Sequence, residues 1–132
     1  MNLGSYLRLI LTQDPAVAAL AGDRVYSEVL PQAPKTPAVV FAVVSADEDV
    51  SLDGPTGVRR ASLAVDSWAE KRADASALGI AVKRVLSGHS GAAAGFEVQS
   101  CFFVTERWAF DPESALYRTS QDYEVWSSGP DQ

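Results

Sequence analysis

Cysteine, histidine and methionine each occur once in this 132-residue chain. With Cys101 alone, no intrachain disulfide can form. With His89 alone and no C-x-x-C or H-x-x-x-H spacing, the ligand set of a zinc site is missing. Basic residues are also scarce: 11 Lys and Arg stand against 17 Asp and Glu, a formal net charge of -6. That balance argues against gripping nucleic acid through its phosphates, which takes clustered cations, and against docking on an anionic membrane. No apolar run approaches the ~18 residues that read as a membrane span. The opening "MNLGSYLRLILTQDP" lacks a basic leader region and is broken by Arg8, Gln13 and Asp14. It reads as an amphipathic helix rather than a signal peptide. These absences point to a protein made and folded in a reducing cytoplasm.

What remains is ordinary for one globular domain, with 47% hydrophobic and 21% charged residues. Leu3, Tyr6, Leu7 and Ile10 recur at helical spacing. Asp14 and Pro15 fit the cap and first position of a second short helix that Gly22 would end. "DRVYSEV" is a short strand, and Pro31, Pro34 and Pro37 make "LPQAPKTPA" an extended loop. Residues 38–44 form the most apolar run, with Val39, Phe41 and Val43 on one face and Val40, Ala42 and Val44 on the other, so both faces are expected to be covered. In "ASLAVDSWA", Leu63 and Val65 share a face while Asp66 and Trp68 point oppositely. Residues 69–86 carry a helical stripe of Ala73, Ala77, Leu78, Ala81, Val82, Val85 and Leu86. "SGHSGAAAG" reads as a flexible loop, "DPES" as a turn between two long final strands, and residues 127–132 as a fraying tail. The expected fold is therefore one α+β domain over residues 1–132. Residues 1–22 form an N-terminal helical segment, and the mostly antiparallel, mixed sheet has the long helix across one face.

Between the apolar run and its partner strand lies "SADEDVSLDGPTGVRR", residues 45–60. Asp47, Glu48, Asp49 and Asp53 stand on or near one strand, and Arg59 and Arg60 on the other. The turn is expected through residues 53–57, giving a projecting hairpin. The three consecutive acids alternate faces; Asp-x-Asp could bind a hard cation, but with neither EF-hand spacing nor a terminal Glu the expected reading is a solvated or interface charge run. "LDGPTG" lacks the Lys-Ser/Thr of a phosphate loop, and "GAAAG" follows a helix and enters a strand. His89 reads as a solvated loop residue and Cys101, in "SCFFVT", as a buried small hydrophobe. Trp68, Trp108 and Trp126 each lie near a strand end, where core anchor and interface residue are both open readings. No catalytic, cofactor-binding or metal-binding residues emerge, and the expectation is a protein that is not an enzyme and carries no cofactor.

The order of "DRVY", "PAVVFAVVS", "SLDGPTG", "ASLAVDSWAE", a helix and "YRTSQDYEVW" is similar to that of the tail terminator, or tail completion, proteins of siphophage-type particles. These occur in tailed phages, prophages and gene-transfer particles. The resemblance spans residues 23–126 and implies a mixed sheet flanked by helices and a ring, typically hexameric, on the head-proximal end of the tail tube. It further implies that the ring stops tube polymerisation, meets the head connector or stopper protein, and lets DNA pass through its lumen without specific binding. The location implied is the head-tail junction of the virion, with no membrane involved, and no catalytic residue is carried over. In that setting Asp47, Glu48, Asp49, Asp53, Arg59 and Arg60 are candidate subunit-interface residues; the bland reading is a charged edge that resists aggregation. Competing classes are another neck or connector protein, a small-ligand module with a pocket lined by Trp68 or Trp126 between sheet and helix, and an enzyme using His89 or the acidic hairpin.

Overall fold

The computed structural model describes residues 1–129. Three helices, α1 (Leu3–Gln13), α2 (Pro15–Ala21) and α3 (Arg72–Leu86), accompany six strands: β1 (Val25–Ser27), β2 (Ala38–Ser51), β3 (Gly54–Ala69), β4 (Gly91–Ala93), β5 (Phe96–Asp111) and β6 (Leu116–Ser128). The strands form one mixed, curled sheet in the order β1-β2-β3-β6-β5-β4. Only β1 and β2 run parallel, and every other pairing is antiparallel. This is the expected α+β class.

Local chemistry explains the helix ends. Asn2 accepts a 2.9 Å hydrogen bond from the Ser5 N–H, and Asp14 accepts one of 3.0 Å from the Val17 N–H, each satisfying an otherwise unpaired donor of a first turn. Gly22 closes α2 at φ 58°, a conformation that costs glycine nothing. Leu3, Tyr6, Leu7 and Leu11 of α1 pack with Val17 and Ala21 of α2 and Leu78, Ala81, Val82 and Leu86 of α3. All join one core with Val39, Phe41, Ala61, Leu63, Val65, Phe96, Val98, Cys101, Tyr123 and Val125 of the sheet.

The buried stripe of α3 differs from the expected one. Ala73 and Ala77 are exposed, and Ala75 and Gly79 are buried in their place. The reason is steric. A Cβ at position 79 would lie 2.8 Å from Thr119 Cγ2, so the glycine lets the helix backbone approach β6 more closely than any side chain would. The Gln121 amide uses that proximity, donating 3.0 Å to the Gly79 carbonyl and 2.8 Å to Glu106 Oε1, while Tyr123 Oη donates to Gln121 Oε1.

Other differences follow from pairing that no single segment specifies. The loop expected over residues 87–95 contains β4, joined to β5 by Ala94 and Gly95 at φ 49° and 82°. Two consecutive positive φ values suit the twist of a tight hairpin. β2 is not covered on both faces along its length: Ala38 to Phe41 are buried, but Val43 and Val44 are 42% and 69% exposed. Of the tail expected to fray over 127–132, Ser127 and Ser128 belong to β6, and residues 130–132 lie outside the described residues. β1 pairs only with Val39–Phe41 and β4 only with Phe96–Val98. The outer edges of β2 and β5 beyond those residues are unpaired among the described strands.

Candidate functional site: the hairpin arm

β2 and β3 outrun the rest of the sheet. The last rung between β3 and β6 is Val58↔Ser128, so residues 49–57 project past the supported strands as an arm. The turn lies earlier than expected: Ser51 pairs with Gly54, leaving Leu52 and Asp53 as its two residues, and Gly54 takes φ 113°. Residues 55–57 then continue β3. Register shifts between Glu48 and Val50, where Thr56, Gly57 and Val58 stand against the single residue Asp49. Gly57 at φ 82° accommodates this bulge. Thr56 Oγ1 ties it down with hydrogen bonds to the Asp49 carbonyl at 3.2 Å and to Asp49 Oδ2 at 3.0 Å.

The candidate residues divide between the two sheet faces. Asp47 pairs with Arg60, and Glu48 with Arg59. Because side chains alternate along a strand, Arg59 and Arg60 point to opposite sides. Arg60 Nη2 lies 3.3 Å from Asp47 Oδ2, and its guanidinium stands 5.7 Å from the centre of the Trp126 ring. Trp126 Nε1 in turn donates 2.9 Å to Glu124 Oε1. Asp47, Glu48, Asp49, Arg60 and Trp126 line a shallow recess of about 150 Å³. Arg59 instead lines a separate groove of about 290 Å³ with Asn2, Leu3, Gly4, Val43, Ala61 and Ser127. Asp53 sits in the turn, where its N–H donates 3.2 Å to Ser51 Oγ. Sequence reasoning missed Trp126 and Glu124 as neighbours of the arm's base, since only the β3–β6 pairing brings them there. The separation of Arg59 from Arg60 was legible in the two-residue period of any strand.

The sheet face away from the helices carries Trp68, Arg118, Asp66, Arg107, Asp122, Phe102 and Trp126. Its cations are engaged within the face. Arg107 Nη1 donates 2.6 Å to Asp122 Oδ2, which raises the guanidinium's pKa, and Arg118 lies 5.4 Å from the Trp68 ring. Trp68 and Trp126 thus lie opposite α3, and neither lines a pocket beneath it; the expected ligand pocket between helix and sheet is not where those rings are. Leu63, Val65 and Ser67 take that position instead.

His89 is not a freely solvated loop residue. Its Nε2 lies 2.6 Å from Tyr6 Oη, and burial pushes its pKa below the usual imidazole value and that of Tyr6 above the usual phenol value. This contact pins the α3–β4 connection onto α1. Cys101 is 2% exposed, and burial pushes its thiol up to about 12, which leaves it an inert packing residue at neutral pH. Among the described residues, no group of three or more His, Cys, Asp or Glu converges as a metal site would require. None of the helices among the described residues is long and apolar enough to cross a membrane.

The described residues thus form a small α+β domain with a charged, projecting arm. The family model for tail completion protein gp17 matches residues 5–128, and the chain belongs to that family. Membership gives it a structural, tail-related role. A chain in the virion of a native gene transfer agent particle has the same fold: TM-score 0.75, 21% identity, covering 96% of this chain and 95% of the other. No curated protein matches the sequence significantly.

Proposed function

We propose that this chain is the ring subunit that caps the head-proximal end of a tail tube in a phage-like virion. The ring ends tube polymerisation and joins the tail to the head connector, and DNA passes through its lumen. The observation that carries this reading is the family match over residues 5–128, which takes in the arm and all six strands. The likeness of fold to a chain of a gene transfer agent virion supports it. Three physical features agree. The arm projects away from its own core, as a contact made by assembly requires. Beyond β1 and β4, the outer edges of β2 and β5 face no strand among the described residues, and β5 adds exposed Phe102, Val104, Trp108 and Phe110, a liability for a free monomer that assembly would cover. The net charge of -6, with Arg60 and Arg107 on the open face already held by Asp47 and Asp122, disfavours tight phosphate binding and suits a conduit through which DNA slides. A homo-oligomer, probed as a hexamer by its mass, is the expected state.

Deletion of the gene from a producing strain tests the reading. The expected result is filled heads without joined tails, together with free tails of abnormal length. Normal infectious particles would overturn it.

A further inference from the structure

The outer flank of α3 carries a second surface that the fold uses only in part. Ile80, Lys83, Arg84 and Ser87 recur at i, i+3, i+4 and i+7, beside the buried stripe rather than in it, and line an open groove of about 410 Å³. Ile80 is 54% exposed although it sits in the middle of a helix that otherwise buries its large apolar residues. Among the described residues, neither Lys83 nor Arg84 has a carboxylate partner, and the two ion pairs formed there belong to Arg60 and Arg107; Lys83 Nζ rests 3.9 Å from the centre of the Phe103 ring, which leaves its charge without an anion. Placement in the last turn already suits two cations to the helix dipole, but it gives no reason for an apolar side chain exposed between them.

The arm tip has the complementary composition. Leu52 is fully exposed and Val50 is 66% exposed, so the arm's own chain covers neither. Asp49 and Asp53 flank them and are exposed as well. We infer that the arm tip of one copy docks on the α3 flank of the next, with Leu52 and Val50 against Ile80 and with Asp49 and Asp53 toward Lys83 and Arg84. Charge sign selects the occupant: in a chain of net charge -6, this flank is a cationic patch matched by an acidic, apolar-tipped projection of the same chain. Arm and flank are different surfaces, so the contact is head-to-tail and closes into a ring when the rotation between copies closes. The inference rests on the ring reading and names the interface within it.

The test uses full-length chains with Leu52→Cys in one and Ile80→Cys in the other; both sites are exposed and Cys101 is buried. Mild oxidation of the mixture, in the presence of tail tubes if assembly needs them, should give a disulfide-linked heterodimer. A chain carrying both substitutions should give a covalent ladder ending at the ring. Asp49→Lys with Asp53→Lys, or Lys83→Glu with Arg84→Glu, should each raise the concentration for half-assembly about tenfold or more, and all four in one chain should recover most of the loss. Absence of the heterodimer, or Leu52–Leu52 links alone, while the unmodified protein forms rings overturns this contact and leaves the ring reading standing. A wild-type protein that neither self-associates nor collects on tube ends overturns both.

Discussion

Residues Ala38 to Phe41 of β2 are at most 7% exposed, whereas every residue from Asp47 to Ser51 is exposed, although both stretches pair with the same partner strand. The buried half has β1 on its outer edge and helices over Val39 and Phe41. The exposed half has β3 alone, and beyond Val58 even β3 loses the support of β6. Backbone pairing is the same in kind along the strand; what changes is the apolar area removed from water. The first half is therefore part of the fold's stability, and the second is free to serve an external contact.

The largest expected effect should separate the two halves outright. Phe41→Ala or Leu63→Ala removes side chains 3% and 1% exposed and should cost about 2–5 kcal/mol through lost transfer energy and residual cavity. Leu52→Ser at the arm tip should stay within about 0.5 kcal/mol. Urea midpoints at constant slope give both numbers, and equal losses would mean that the arm is part of the core. Next in size is Gly79→Ala. Helix propensity favours alanine by about 1 kcal/mol, but forcing Cβ against Thr119 costs about 1–3 kcal/mol, so the net sign is destabilising. Thr119→Ala in the same chain should restore most of the loss by removing the colliding methyl; no restoration would mean the helix position is not set by that contact.

A smaller effect is expected at the arm's base. Reversing Arg59 and Arg60 to Glu should leave the fold within about 1 kcal/mol by circular dichroism melts, because the Asp47–Arg60 pair is largely exposed. Assembly, read by sedimentation, should weaken. Restoring the sign with Asp47→Lys should recover part of it, through position 60, since Arg59 lies on the other face. Normal assembly of the double reversal would reduce the base of the arm to a solvated edge. The smallest effect concerns pH. Burial lowers the His89 pKa in the folded state below that of the unfolded chain, so the unfolded chain takes up the proton first as pH falls. Stability from keeping His89 neutral against Tyr6 is complete above about pH 6.5 and declines below it. A melting temperature that falls between pH 7.5 and 5, with a shallower fall in His89→Gln, is the expected pattern.

Much of this was legible in the chain. Asp14-Pro15 and Gly22 act locally and mark α2 wherever it packs. The alternation of Leu63 and Val65 against Asp66 and Trp68 identified the buried face of β3, because a strand's period leaves no other choice. The acidic arm stood out as a charged interruption between two strands, and the absence of clustered His and Cys was readable by counting. The turn at Leu52–Asp53 was not, since Gly54-Pro55 and Gly57 carry a stronger turn signal than the two residues that turn. Gly79 hid in a helix pattern where glycine ordinarily reads as a weak point, and its value appears only with Thr119 opposite. Trp126 sits under Arg60 because β6 returns between β3 and β5, a pairing across 66 positions of sequence.

By itself the sequence determined the class of the longer elements, the ends of α2 and the inward face of β3. Each of these depends on residues within a few positions of one another, where φ/ψ preference and side-chain period act without knowledge of the rest. Tertiary structure alone decided that β6 lies at the sheet's centre, that Trp126 lies beside Arg60, and how far the arm extends beyond its support. Those outcomes depend on which distant strand supplies the next ladder of hydrogen bonds, and that choice is made by the burial of the whole helix-facing sheet at once.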